Sequence, residues 1–301
     1  MRILSLLPAA TEMVYLLGLG DDLVGVSHEC DYPSQAALKP RVTRSRVDAG
    51  RTGDEIQRQV QELSHHHNSL YELDVELIRA LKPDLILTQE ICEVCAVSRA
   101  QVEATAVDLY GTPNVISLEP STLAAVLEDI VHLGELTDRR AEAETKTARL
   151  RERIDRVKKA TDGGSDAVVS LEWLQPPMVA GHWIPEMIEL AGGRDPIMSK
   201  GDRSRRVAWE EVQQAFPDVL IIAPCGYNLF KALEEYRNTE LPGWWPELPA
   251  LRSGRIFAID GHNFTSRPGP RLVDTLEIIA TVIGGRNVST ATYGVDYVRI
   301  V

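Results

Sequence analysis

The chain is punctuated by short apolar runs that end abruptly on polar residues, and this leaves few folds open. Leu85-Ile86-Leu87 follows Lys82-Pro83-Asp84 and gives way to Gln89-Glu90-Ile91-Cys92-Glu93-Val94-Cys95. So short and so apolar a run fits a strand buried on both faces, as in a parallel sheet covered by helices. Comparable runs occur at Arg2–Leu7, Leu23–Val26, Asn114–Leu118, Ala167–Leu171, Val219–Ile222 and Arg255–Ile259, with helical patterns between them. Alternation of this kind predicts an α/β fold with Rossmann-like parallel sheets. Open sheets of that class bind their ligands in the crevice outside the carboxyl ends of the strands.

The second half repeats the first. Leu77–Cys92 and Trp209–Gly226 both read helix, Pro-Asp, apolar strand, polar elbow, cysteine. The duplication predicts two similar lobes, 1–120 and 161–301. Between the lobes, Ser121 is a plausible cap, and Leu123, Val126, Leu127, Ile130, Val131 and Leu133 recur at helical spacing. Arg139–Lys159 is rich in Ala, Glu, Arg and Lys, and Asp162-Gly163-Gly164-Ser165 breaks the pattern. A single long backbone helix over 121–160 is expected. The tail 286–301 alternates like an edge strand and offers a surface for a homodimer.

Lys and Arg number 32 against 44 Asp and Glu in the 301 residues, a net charge of −12. This argues against nucleic acid or an anionic membrane surface as partner. No apolar run approaches a membrane span, and Met1-Arg2 leads straight into a strand with no signal-peptide pattern. A cytoplasmic protein with reduced thiols is the expectation.

The predicted strand ends collect His28, Glu29, Cys30, Gln89, Glu90, Cys92, Cys95, Glu172, Trp173, Cys225, Tyr227, His262 and Phe264. All four cysteines lie there, whereas inert core thiols would be scattered over helix faces and strand interiors. Cys92-x-x-Cys95 has three readings. Its thiolates could hold zinc or an iron–sulfur cluster with Cys30, Cys225 or His28 as further ligands. It could be a redox pair, although Glu90 and Glu93 would raise the thiol pKa. It could simply line a ligand pocket. Trp173 and Trp183 flank Gln175-Pro176-Pro177 and Gly181-His182, a stiff loop suited to stacking on a flat ligand. Trp209 reads as core, and the pair Trp244-Trp245 as packing a proline-rich loop. No phosphate-loop, dinucleotide or serine-nucleophile signature is present, so an enzyme, thiol-dependent or hydrolytic, ranks behind a binding protein.

These residues resemble a known family. Ser5-Leu6-Leu7-Pro8-Ala9-Ala10-Thr11-Glu12, Val24-Gly25-Val26-Ser27 through Asp31-Tyr32-Pro33, and Leu81-Lys82-Pro83-Asp84-Leu85 carry the resemblance in the first half. Pro176-Pro177, Ser204-Arg205 through Trp209, and Arg267-Pro268-Gly269-Pro270-Arg271 carry it in the second. Together they are similar to the cobalamin-binding, helical-backbone class of periplasmic substrate-binding proteins that serve ABC importers. The resemblance implies two α/β lobes with a ligand cleft between them, and a small-molecule ligand that is a corrinoid or a related metal chelate such as a haem or siderophore. It implies pocket positions at Pro8, Ala9, Tyr32, Gln89, the Trp173 loop, Phe264 and Arg267. It also implies delivery to an importer permease, which the missing leader argues against. His28-Glu29-Cys30, the Cys92-x-x-Cys95 elbow and Cys225 are not features of that family's pocket.

Overall fold

The computed structural model describes residues 1–48, 53–65, 70–89, 102, 113–161, 164–285 and 289–300. The chain divides into two compact units, Met1–Pro120 with Leu127–Thr147, and Ser121–Val126 with Ala148–Val301.

The first unit contains β1 (Ile3–Ser5), α1 (Pro8–Leu16), β2 (Leu23–Val26), β3 (Thr43–Ser45), α2 (Gly53–His65), β4 (Tyr71–Leu73), α3 (Val75–Leu81), β5 (Leu85–Thr88) and β6 (Asn114–Ser117). Its main sheet has the order β2-β1-β5-β6 and is parallel throughout. β1 and β5 are buried at every position, as their uninterrupted apolar sequences require. The chain leaves β1 for β2 on one side and returns to β5 on the other, so the strand order switches between β1 and β5. Ligands of open α/β sheets bind at such a switch, and here its rim is formed by the Leu7-Pro8 turn and by Gln89.

Helix α1 opens with Pro8 at its first position and no side-chain cap. The fixed φ of proline is already helical, and its missing N–H is no loss there. Thr11 lies inside the helix. The Asp74 carboxylate accepts from Leu77 N (3.0 Å) and caps the start of α3 directly after β4. The antiparallel pair of β3 and β4 has three residues per strand, too few for alternation to reveal it.

The helix expected over 121–160 is two helices, α4 (Leu123–Leu136) and α5 (Arg140–Ala160). Thr137 Oγ1 donates back to Leu133 O (2.7 Å), and Asp138 adopts a left-handed φ of 56°. Asp is among the few non-glycine residues that visit this region. Gly134 lets α4 approach the next helix closely, since a Cβ there would collide with Ala143 Cβ and the Arg139 carbonyl.

The second unit continues with β7 (Asp166–Leu174), β8 (Pro177–Val179), α6 (Ile184–Leu190), β9 (Gly193–Arg194), β10 (Arg205–Arg206), α7 (Trp209–Ala215), β11 (Val219–Ile222), α8 (Leu229–Asn238), α9 (Pro249–Arg252), β12 (Ile256–Ile259), α10 (Leu272–Gly284) and β13 (Tyr297–Arg299). Its sheet has the order β10-β8-β7-β11-β12-β13, with β9 also beside β7. β7, β11 and β12 are parallel, and the strands around them, β8, β10 and β13, pair antiparallel. The alternating tail thus contributes its strand to its own sheet, against β12. One face of the sheet is packed by Val169, Leu171, Leu220 and Ile222 with Trp245 and, at the cluster's edge, Trp209 and Trp244. The Trp209 and Trp245 rings meet edge to face at 5.2 Å, the packing role read for these tryptophans from sequence.

The duplicated Pro-Asp steps have one physical meaning. Lys82 and Phe216 close α3 and α7 in left-handed conformation, at φ 45° and 48°. The following Asp then binds the start of the neighbouring strand twice. Asp84 N donates to Arg2 O (2.8 Å) and Asp84 Oδ2 accepts from Arg2 N (2.7 Å). Asp218 N donates to Ala167 O (2.7 Å) and Asp218 Oδ2 accepts from Ala167 N (2.9 Å).

Among the described residues, no helix is long and apolar enough to cross a membrane.

Candidate ligand site

In the second unit the strand order switches between β7 and β11. The two strand ends are tied together there: Cys225 N donates to Glu172 O (3.0 Å). The Glu172 carboxylate accepts from Ser204 Oγ (2.8 Å). Ser204 Oγ accepts in turn from Gly181 N (2.9 Å) and lies 3.4 Å from His182 Nδ1. A serine oxygen has one proton and two lone pairs. With its proton on Glu172 and one lone pair on Gly181, only an acceptor site is left for the imidazole, so Nδ1 carries the proton. His182 Nε2 is then a bare lone pair, and it is buried with no hydrogen-bond partner among the described residues. Burial and the Arg203 charge hold the His182 pKa below its ordinary value, so the ring is neutral at pH 7.

The backbone fixes this imidazole firmly. His182 has φ 54°, with its N–H on Asp202 O (2.5 Å) and its carbonyl accepting from Gly201 N (3.0 Å). Gly181 is required beside it, because a Cβ would collide with the Asp202 carbonyl and the Ser204 amide. Trp183 is buried, with Nε1 donating to Thr265 O (2.9 Å). It packs the start of α6 and anchors its neighbour rather than presenting a free ring face.

Beyond Cys225, Tyr227 is buried at the elbow. Its ring meets Trp173 edge-on at 5.2 Å, and Lys231 Nζ sits 4.1 Å from the ring centroid. The Tyr227 hydroxyl is buried with no hydrogen-bond partner among the described residues. Burial first, then Glu235, raises its pKa well above the phenol range, so it remains a neutral O–H. Trp173 Nε1 donates to Gln175 O (3.0 Å), which orients the indole. His262 N donates to Tyr227 O (3.0 Å), and the Arg267 guanidinium lies 2.7 Å from His262 Nε2. The turn that carries His262 and Phe264 packs on the β11 elbow through Gly261, where a Cβ would strike the Pro224 carbonyl. Asp260 holds that turn by accepting from Asn263 N (2.8 Å). One connected surface therefore gathers Glu172, Trp173, His182, Cys225, Tyr227, His262 and Arg267.

In the first unit the strand ends look different. Pro8 is partly exposed and Ala9 is buried in α1. Cys30 is fully buried, and its Sγ is 3.1 Å from Thr11 Oγ1, which is 2.8 Å from Ser5 Oγ, which donates to Leu7 O (3.0 Å). Thr11 Oγ1 is the donor toward Cys30 Sγ and Ser5 Oγ, and Ser5 donates onward to the carbonyl. His28 Nδ1 lies 2.6 Å from Thr43 Oγ1, which also accepts from His28 N (2.9 Å). Glu29 Oε1 approaches His28 Nε2 at 3.3 Å, at an angle that makes an ion contact without a hydrogen bond. Tyr32 is exposed. Gln89, at the rim of the switch, is buried, and its Oε1 has no hydrogen-bond partner among the described residues.

Cys92 and Cys95 lie outside the described residues. Among those described, no three or more His, Cys, Asp or Glu side chains come together as a metal cage. Ser204, Thr11 and Thr43, which orient three of the candidate groups, carry no sequence signal of that role. Serine and threonine are common, and each acts on a partner at least 15 residues away. Ser204 beside a His and a Glu does not form a nucleophile either. Its proton points at Glu172 rather than at the imidazole, the reverse of the order that activates a hydroxyl.

The sequence and fold compare with known proteins as follows. The vitamin B12-binding protein of Vibrio cholerae serotype O1 is 23% identical over 286 residues, 94% of this chain and 88% of that protein. The crystal structure of the periplasmic vitamin B12 binding protein of Vibrio cholerae superposes with a TM-score of 0.68 at 23% identity, covering 94% of this chain and 96% of that one. The apo periplasmic heme-binding protein of Roseiflexus sp. RS-1 superposes with a TM-score of 0.66 at 23% identity, covering 94% and 97%. The two-lobe α/β architecture of these neighbours is the one expected from the duplicated strand pattern. A family model described as periplasmic binding protein matches residues 3–262, and the chain belongs to that family.

Proposed function

We propose that the chain binds a metal chelate of the corrinoid or tetrapyrrole kind, held on the strand-end surface of the second unit. The observation that carries this reading is a pair of polar atoms buried without partners. His182 Nε2 and Tyr227 Oη both lie at strand ends of that unit. Leaving such an atom unpaired costs about 1–3 kcal/mol each, so the two support a missing partner that supplies both a donor and an acceptor. The residues suit such a ligand. Trp173 and Tyr227 offer aromatic area, Arg267 and Lys231 offer charge for peripheral carboxylates or amides, and His182 is a neutral nitrogen donor. The named ligands of the relatives, vitamin B12 and heme, support the same class. The periplasmic names of the family and of these relatives favour a place outside the cytoplasm over the cytoplasmic location expected from the N-terminal sequence.

The test is a titration of the full chain with cobalamin and, separately, with haem, following chelate absorbance, tryptophan fluorescence and thermal midpoint. Binding at a free concentration a hundredfold above Kd stabilises the fold by about 2.7 kcal/mol. A chelate that changes none of the three signals at high excess would sink the proposal.

A further inference from the structure

We infer that His182 Nε2 is an axial ligand to the metal of the bound chelate. The inference rests on the chelate reading above and adds a direct bond between this chain and the metal. Metal-ligating histidines characteristically bind through one ring nitrogen while the other donates its proton to a polar group that is itself held in place. Here that outer chain is complete: His182 Nδ1 to Ser204 Oγ at 3.4 Å, Ser204 Oγ to Glu172 Oε2 at 2.8 Å, and Gly181 N to Ser204 Oγ at 2.9 Å. It leaves the Nε2 lone pair buried and unpartnered.

The bland alternative is a core histidine satisfied at one nitrogen. The imidazole packs against the Trp183 ring, centroids 5.5 Å apart, but that contact leaves Nε2 without a partner. A left-handed φ of 54° costs a non-glycine residue about 1–3 kcal/mol, and the orphaned acceptor costs about 1–3 kcal/mol more. Gly or Asn at this turn would avoid both. Two costs concentrated on one side chain, with its other nitrogen anchored through two further residues, point to a ligand that uses the lone pair. The step is a ligand exchange: Nε2 gives its lone pair to the metal, and a water bound at that axial position leaves. No electron is transferred, and the Nδ1 proton stays on its bond to Ser204.

Aquocobalamin and ferric haem are the probes, because each has an axial position that imidazole can take from water. With the wild-type chain, bound aquocobalamin is expected to show the absorbance of a cobalt whose axial water has been replaced by a second nitrogen, and bound ferric haem the spectrum and electron paramagnetic resonance of a high-spin iron with one imidazole ligand. 15N-histidine labelling of the chain should then change the hyperfine coupling at the iron. Cyanocobalamin, whose axial positions are filled, should bind without a shift. His182→Ala should bind the chelate more weakly, lose the axial signature, and regain it with added imidazole. Ser204→Ala should keep the signature but weaken affinity by roughly 10-fold to 100-fold. Should His182→Ala fail to fold, the labelled wild-type spectrum decides by itself. A chelate bound with its axial water intact, or an unchanged axial signature in His182→Ala, overturns this inference while leaving the chelate reading standing. Failure of both chelates to quench fluorescence or raise the thermal midpoint overturns the two together.

Discussion

A buried polar side chain takes its chemistry from whatever neighbour the fold supplies, and Cys30 is a case of this. The thiol sits at the end of β2, but its hydrogen bonding is set by Thr11 in α1 and Ser5 in β1. Thr11→Val removes the centre of the relay and leaves the Cys30 thiol and the Ser5 oxygen each short of a partner. The expected cost is about 1–3 kcal/mol, read as a lower urea midpoint with an unchanged slope. Asp129 offers a second test. Burial first, then Glu128 and Glu119, raises its pKa to about 7, and its Oδ2 has no hydrogen-bond partner among the described residues. The folded state therefore binds this proton more tightly than the unfolded chain, whose Asp titrates near pH 3.9. Stability from this group is present below about pH 4 and is lost as pH rises toward 7. Asp129→Asn should raise the thermal midpoint at pH 8, and the gain should vanish at pH 4. A gain independent of pH would show that Asp129 is not the titrating group. The strand-end position of Cys30 was legible in sequence. Its partners were not, because the bonds join segments whose adjacency only the folded sheet creates.

At the scale of elements, the apolar strands and the helices between them could be read because burial on both faces imposes an uninterrupted apolar run. The Pro-Asp duplication was equally visible, but not its reason. Asp84 and Asp218 each clip the start of a neighbouring strand through a carboxylate and a backbone amide. Asp218→Ala should cost about 1.5–3 kcal/mol, the range for a hydrogen bond to a charged group. Asp84→Ala should cost less, since Asp84 is exposed and Asp218 is partly buried. Equal costs would mean that the clip works through the backbone amide alone. The break between α4 and α5 escaped the sequence because only three residues, Thr137, Asp138 and Arg139, separate the helices, and none of them is the Gly or Pro that marks a helix end. Asp138→Val should destabilise by about 1–2 kcal/mol, the penalty of the left-handed region for a residue that rarely enters it. Asp138→Gly should be neutral or stabilising in the same denaturation assay.

For the molecule as a whole, the placement of orphaned polar atoms predicts where a ligand will be felt. A chelate held by His182, Tyr227 and Trp173 would act on the end of β7, on the elbow after β11, and on the loop that carries Ser204. These segments share the backbone bonds His182 N to Asp202 O (2.5 Å), Cys225 N to Glu172 O (3.0 Å) and His262 N to Tyr227 O (3.0 Å). Amides that exchange by local opening are protected when a ligand binds only the closed form. Hydrogen exchange with saturating chelate should therefore slow at His182, Cys225 and His262 by a factor that grows with free ligand concentration. The amides of β13 at the far edge of the same sheet should change little, because they open without disturbing β7. Gln89 adds a second expectation, since its unpaired Oε1 marks the corresponding edge of the first sheet. A ligand on the first unit should slow the amide of Leu118, which donates to Thr88 O (2.9 Å) beside Gln89. Protection confined to the Leu118 region, with His182, Cys225 and His262 unchanged, would place the ligand on the first unit alone. The chelate would then have to be held without the imidazole, and the polar atoms at the end of β7 would need another explanation.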